Sequence, residues 1–296
     1  MNEEKGDLEE LYHKFISDEI AINHMIDFIG INIDAITGDL DFKIYYAPIG
    51  FNSPISKRKH PIIEFNQKKE MVRCITEARD LNGLRSYVIL KNRTDPNMNA
   101  LFTELMNRYP HIRNNEHEIR SISQMKVTNE PNHKFGSLHI LGFKSSNSLS
   151  DIVSVQWLTR KYPDTNHPGR QYKFNDAYFL DFVKAQRIRK FDILMDYAYK
   201  GWLNTLENPT LHLWLIAVDF YPCGKRKYKL YFKDESRKVN IPCSTLLESI
   251  GNTAISDRLK QLQTFTKAHK ELNLYGFAIC LDTDNKLTIN YYFINN

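Results

Sequence analysis

Cysteine is scarce and scattered. Cys74, Cys223, Cys243 and Cys280 form no C-x-x-C or Cys/His spacing that could hold zinc or frame a disulfide scaffold. They read as buried thiols of a reducing compartment. No apolar run approaches the ~18 residues that would cross a bilayer, and the opening MNEEKGDLEELY is acidic where a signal peptide would be basic and then apolar. A soluble, cytoplasmic, monomeric chain without a membrane partner is expected. A dominant charge sign is also missing, since 40 Lys and Arg against 35 Asp and Glu leave a net +5, with pI about 8.8. The cations are spread over the whole chain, which argues against a nucleic-acid partner. P-loop, dinucleotide fingerprint, HExxH and GxSxG motifs are absent.

What is abundant is aromatic: 16 Tyr and 17 Phe in 296 residues. Many of them fall in a phrase that occurs four times, at Gly30 to Tyr46, Gly142 to Trp157, Ala217 to Phe232 and Gly276 to Phe293. Each copy has a short apolar run opened by Gly or Ala, a polar turn, and a strand of alternating polar and apolar residues closing on an aromatic pair. This is the signature of a β-hairpin. Aligned, the second strands place Lys43 and Tyr45, Ser154 and Gln156, Lys229 and Tyr231, and Asn290 and Tyr292 at equivalent positions.

Period-2 geometry turns the alignment into two surfaces. Asp41, Lys43 and Tyr45 leave one face of their strand, and Phe42, Ile44 and Tyr46 leave the other. Helical segments between the hairpins are long enough to cover the apolar face, so the face bearing Lys and Tyr is expected to be enclosed. The periodicity predicts helices over 7–25, 67–82, 97–108, 176–195 (continuing towards 202), 243–250 and 256–271. It predicts further strands over 86–90, 119–127 and 136–141. A degenerate fifth hairpin is expected between His111 and Leu141, and the whole of 1–296 reads as one domain.

This rhythm resembles the ABBA, or PT-barrel, aromatic prenyltransferases, whose antiparallel barrel is built from repeated α-β-β-α units. Gly38-Asp39-Leu40-Asp41-Phe42 followed by Ala47-Pro48-Ile49-Gly50 resembles their first hairpin. VDFYPCGKRKYKLYF resembles a middle one, and LYGFAICLDTDNKLTINYYF the closing one. Length, a composition rich in Lys, Asn and Ile, and Gly224-Lys225 through Tyr231 are also similar to the cyanobactin peptide prenyltransferases. The resemblance implies an α+β antiparallel barrel with helices outside, and transfer of a dimethylallyl or geranyl group from an allylic diphosphate to a peptide side chain or small aromatic acceptor.

That chemistry asks for cations and hydroxyls around the diphosphate and for rings around the allylic cation. Lys43, Tyr45, Gln156, Lys229, Tyr231, Asn290 and Tyr292 are the donor-binding candidates, and Lys229, as a cavity-lining side chain, is expected to matter little for folding. Trp157 and Trp214 are candidates to wall the prenyl tail. Asp41 is the expected proton acceptor, with Asp34, Glu64 and Asp219 as weaker choices. In the peptide and fungal branches a glutamate lies fifteen residues before the cation matching Lys43. Phe28 stands there in this chain, so either Asp41 or Asp27 takes the role, or the acceptor needs no base, or the barrel has lost the catalysis. No DDxxD-type motif of the helical prenyl synthases is present, so magnesium is expected to be optional. Two other classes fit the residues: a noncatalytic barrel for an apolar or aromatic ligand, and a nucleic-acid protein stacking bases on strand aromatics.

Overall fold

The computed structural model describes residues 8–20, 26–46, 65, 68–69, 71–80, 83–90, 95–123, 138–144, 152–159, 183–206, 211–234 and 253–295. In chain order the elements are α1 (Leu8–Ile20), β1 (Ile26–Asp34), β2 (Leu40–Tyr46), β3 (Val72–Asp80), β4 (Gly83–Leu90), α2 (Asp95–Arg108), α3 (Pro110–Arg113) and α4 (Glu116–Ser123). They continue with β5 (Leu138–Lys144), β6 (Val153–Leu158), α5 (Arg189–Leu206), β7 (Leu211–Phe220), β8 (Arg226–Asp234), α6 (Thr253–Ala268), β9 (Leu272–Asp282) and β10 (Leu287–Asn295). The ten strands form a closed barrel in which each lies beside its sequence neighbour and β1 pairs with β10. Every pairing is antiparallel. Closure satisfies the backbone groups that an open sheet would leave along two edges.

The apolar strand faces point outward, as expected, under a coat of helices. Phe42, Ile44 and Leu230 are 0% exposed and Phe232 is 3%. α1 packs on β2 and on α6, α6 on β1, α5 on β7, β8 and β9, and α4 on β6. Tyr12 of α1 shows how the coat is fastened: its ring meets Phe42 at 6.0 Å, Phe265 at 5.1 Å and His269 at 4.6 Å. Burying a side chain such as Phe42 contributes about 1.5–3 kcal/mol, so the helix-covered layer carries much of the core and leaves the lumen free for polar groups.

Several expectations change. The segment 67–82 is rich in Lys, Glu, Met and Ala, all helix formers, yet Val72–Asp80 is a strand. Its pairing with β4 from Val72↔Leu90 to Asp80↔Gly83 overrides the local preference. The fifth hairpin is therefore β3/β4, and not the stretch between His111 and Leu141. Within that stretch the strand expected at 119–127 begins inside α4 instead. There Ile119 and Ile122 are buried, and an Arg120–Glu116 pair at 2.6 Å spans one helical turn. α6 opens at Thr253, three residues before the expected start of the helix at 256. Cys223 is exposed, in contrast to Cys280, which is buried. The expected helix at 243–250 and the first part of 176–195 lie outside the described residues, as do Cys243 and Glu64. Among the described residues no helix is long and apolar enough to cross a membrane, and no His/Cys/Asp/Glu group could hold a metal ion.

Candidate functional site

Antiparallel register places Lys43, Tyr45, Ser154, Gln156, Lys229, Tyr231, Asn290 and Tyr292 on the inner face, in one shared lumen. Tyr45 and Tyr292 rings approach to 5.9 Å, Tyr45 and Tyr87 to 6.3 Å, and Tyr231 and Tyr292 to 6.0 Å. Four strands thus bring four tyrosines together. Small residues at the start of the hairpins make this convergence possible. A Cβ on Gly30 would lie 3.1 Å from the Tyr45 ring, and one on Gly142 would lie 2.7 Å from the Tyr87 ring. Each tyrosine lies across the glycine of the neighbouring strand. Burial pushes the phenols of Tyr45, Tyr231 and Tyr292 well up from their ordinary value, so they stay protonated and able to donate.

At one end of the lumen these rings form an aromatic chamber of about 190 Å³. Phe28, Trp214 and Tyr275 continue its wall, with Phe28 and Tyr275 at 5.1 Å and Trp214 perpendicular to Tyr275 at 6.5 Å. Lys233 Nζ stands 4.7 Å from the Tyr275 ring centroid and 5.6 Å from that of Trp214. Bulges in β1 after Ile26 and in β7 after Leu213 turn Asp27 and Trp214 towards this chamber. Asp27 makes no ion pair or side-chain hydrogen bond among the described residues, and burial alone lifts its carboxyl above the ordinary value. Trp157 behaves differently: fully buried on the outer face, it donates from Nε1 to Ser123 Oγ of α4 at 2.9 Å. It belongs to the helix-covered layer and does not wall the chamber, because it is one residue out of phase with Gln156, which does.

A waist of charges closes the chamber below. Asp219 Oδ2 lies 2.6 Å from Lys229 Nζ and 3.9 Å from the Arg85 guanidinium. Burial would raise the Asp219 carboxyl, but Lys229 and Arg85 outweigh it and hold the group below its usual range. Burial would likewise depress Lys229, and Asp219 more than reverses this, so the ammonium stays charged. Asn290, 8% exposed, donates to Tyr292 Oη at 3.4 Å, and Gln156 donates to Ser154 Oγ at 3.4 Å. Lys43 pairs with Asp41 at 3.7 Å.

Beyond the waist lies a polar cavity of about 330 Å³ lined by Asn32, Asp41, Tyr221, Lys227, Lys286 and Thr288, among others. Asp41 therefore faces the polar end and not the aromatic chamber. Asp34, also at this end, is occupied structurally. Its Oδ1 accepts the backbone N–H groups of Ile36 and Thr37 at 2.9 and 3.0 Å, and Oδ2 pairs with Lys286 at 2.5 Å. Burial works against that carboxylate, and these bonds together hold it below its ordinary value.

Arg85 and Tyr87 were not singled out in the sequence. A signal was present: Arg85-Ser-Tyr87 repeats the spacing of Lys43-Ile-Tyr45 and Lys229-Leu-Tyr231. The helical reading assigned to 67–82 hid the hairpin to which it belongs.

The fold is similar to solved structures of aromatic prenyltransferases. AnaPT from Neosartorya fischeri superposes with a TM-score of 0.53 over 91% of this chain and 78% of its own, at 11% identity. The 6-dimethylallyltryptophan synthase from Micromonospora olivasterospora, solved in complex with DMASPP and Trp, gives 0.52 over 90% and 81%, at 7% identity. The chain folds as a PT barrel. No protein-family model and no curated protein matches the sequence. At these identities the PT-barrel likeness speaks for the fold, and the chemistry must be argued from the lumen itself.

Proposed function

We propose that this PT barrel is a prenyltransferase that moves a dimethylallyl or geranyl group from an allylic diphosphate to an electron-rich aromatic acceptor or peptide side chain. The observation that carries the reading is the adjacency of the Lys229–Arg85 waist to the ring of Tyr45, Tyr87, Tyr231 and Tyr292. The two halves of an ionising allylic diphosphate need these two environments side by side. Lys229, Arg85 and Lys43 would hold the diphosphate, and the neutral phenols would add hydrogen bonds as charge grows on the leaving oxygen. The tyrosine faces would stabilise the allylic cation by ~0.5–2 kcal/mol per ring and exclude water that would quench it. Gln156, Asn290 and Trp214 complete the donor pocket.

The acceptor would enter over Phe28, Trp214 and Tyr275. Asp27, whose carboxyl burial lifts and no cation offsets, is placed to take its proton. Asp41 lines the polar cavity, and in this reading it orients Lys43. Donor contacts drawn here are to side chains alone, with magnesium optional.

The test is direct. Incubation with dimethylallyl or geranyl diphosphate and a panel of indoles, phenols and aromatic peptides, with and without chelator, should give a prenylated product and pyrophosphate. Saturable binding of a nonreactive thiolodiphosphate with no turnover on any acceptor would leave a binding barrel instead.

A further inference from the structure

Asp219 stands where a lumen built for diphosphate has least use for an anion. Its carboxylate is 2% exposed and sits against Lys229, itself only 9% exposed, and Arg85. On the neighbouring strands β6 adds a hydrogen bond from the neutral Ser154 hydroxyl, and β8 presents the cations Lys227 and Lys229. The remaining cation of the waist, Lys43, is matched by Asp41.

We propose that Asp219 is an internal stand-in for the diphosphate. It holds Lys229 and Arg85 when the lumen is empty, then competes with the bound diphosphate for them, and so limits how tightly donor and released pyrophosphate are retained. This rests on reading the waist as the donor's site. In the empty barrel the carboxylate offsets the burial of the Lys229 ammonium. With diphosphate present, the two anions share the same cations and repel one another. When the prenyl carbon departs, the electron pair of the broken C–O bond stays on the diphosphate, making it more anionic than the ester was. The repulsion from Asp219 is then greatest on the product, which favours release. Asp219 forms no bond to substrate in this scheme and acts through Lys229, as a positioning residue.

A purely structural ion pair predicts the opposite sign, because neutralising its acid would loosen Lys229 and weaken anion binding. Inorganic pyrophosphate at pH 7, titrated calorimetrically into the wild type, Asp219→Asn and Asp219→Glu, separates the two. The Asn variant should melt lower than wild type without ligand, bind pyrophosphate on the order of 10-fold more tightly, and gain more in Tm on adding it. The Glu variant keeps the charge and should bind no more tightly than wild type. If the Asn protein does not fold alone, expression and purification with pyrophosphate present should restore it. An Asn variant that binds pyrophosphate no better than wild type, or that pyrophosphate fails to rescue, overturns the proposal while leaving the donor site in place. A wild type that binds no pyrophosphate removes the donor site itself and this inference with it.

Discussion

The two ends of the lumen differ in almost every physical respect: all ten strands line the aromatic chamber, and the polar cavity is lined from β1, β2, β8, β9, β10 and adjoining turns. The aromatic chamber is walled by Tyr, Phe and Trp rings and holds one carboxylate, Asp27, without a partner among the described residues. The polar cavity is crowded with matched charges, including Lys286 with Asp34 and Lys225 with Asp284, and its acids are mostly engaged. Between them the Lys229–Asp219–Arg85 waist divides apolar from ionic chemistry. The lesson is that a carboxylate's position along the barrel axis, and not its distance in sequence from a candidate lysine, decides what it can do. Asp41 is two residues from Lys43 and lines the polar cavity, at the other end from the aromatic chamber.

The largest expected effect breaks the waist. Lys229→Ala leaves the buried Asp219 carboxylate with the more distant Arg85 and the Ser154 hydroxyl, and removal of one partner of a buried pair typically costs ~3–5 kcal/mol. The structure therefore corrects the expectation that this lysine matters little for folding, and chemical denaturation at pH 7 should show the loss. In wild type the depressed Asp219 carboxyl contributes stability that is present above its ordinary value of ~4 and fades as pH falls through its lower folded value. In Lys229→Ala the acid loses its nearest cation, so its pKa lies higher than in wild type. The difference between the two proteins should shrink as pH is lowered and Asp219 becomes protonated.

A paired substitution sharpens the contrast between the ends. Asp27→Asn should lower prenyl transfer ~10²-fold or more with donor affinity retained, the scale of a lost general base. Asp41→Asn, at the polar end, should act on donor affinity through Lys43 and spare the proton-transfer step. Full turnover in the Asp27 variant would return the role to Asp41 or show that the acceptor needs no base.

The two tryptophans offer a smaller test. Trp157→Phe loses the hydrogen bond to Ser123 and part of its packing under α4, so it should cost on the order of 1–3 kcal/mol of stability with donor chain-length preference unchanged. Trp214→Phe should alter that preference or acceptor choice with little change in stability. If product profiles shift with Trp157 instead, the division between outer layer and chamber is wrong.

The smallest effect lies outside the lumen. His269, between Glu9 at 3.0 Å and Glu271 at 2.9 Å, ties α1 to the end of α6. Burial disfavours its charged form, but the two carboxylates outweigh this and raise its pKa. Its contribution is thus fully present below the ordinary value of ~6.5 and is lost as pH rises through the folded value. Hydrogen exchange of α1 should quicken over that interval, and His269→Gln should abolish the pH dependence.

Four hairpins were legible because their information is local. Alternation with period 2 assigns Lys43, Lys229, Tyr231 and Tyr292 to one face whatever the partner strand, and a small residue at a regular distance marks each copy. β3 was not legible, since Lys, Glu, Met and Ala around Val72 prefer a helix locally and only pairing with β4 makes them a strand. Arg85 and Tyr87 were lost with it. The alternating sequence alone therefore determined hairpins with cations and tyrosines on one face and apolar residues for helices to cover on the other, and the closed barrel was what the resemblance implied. Tertiary structure decided which of them meet: the bulge that turns Asp27 into the chamber, the one-residue phase that sends Trp157 out and Gln156 in, and the cross-strand register that sets Asp219 against Lys229. Those outcomes depend on contacts between residues far apart in the chain, whose geometry is fixed only when the barrel closes.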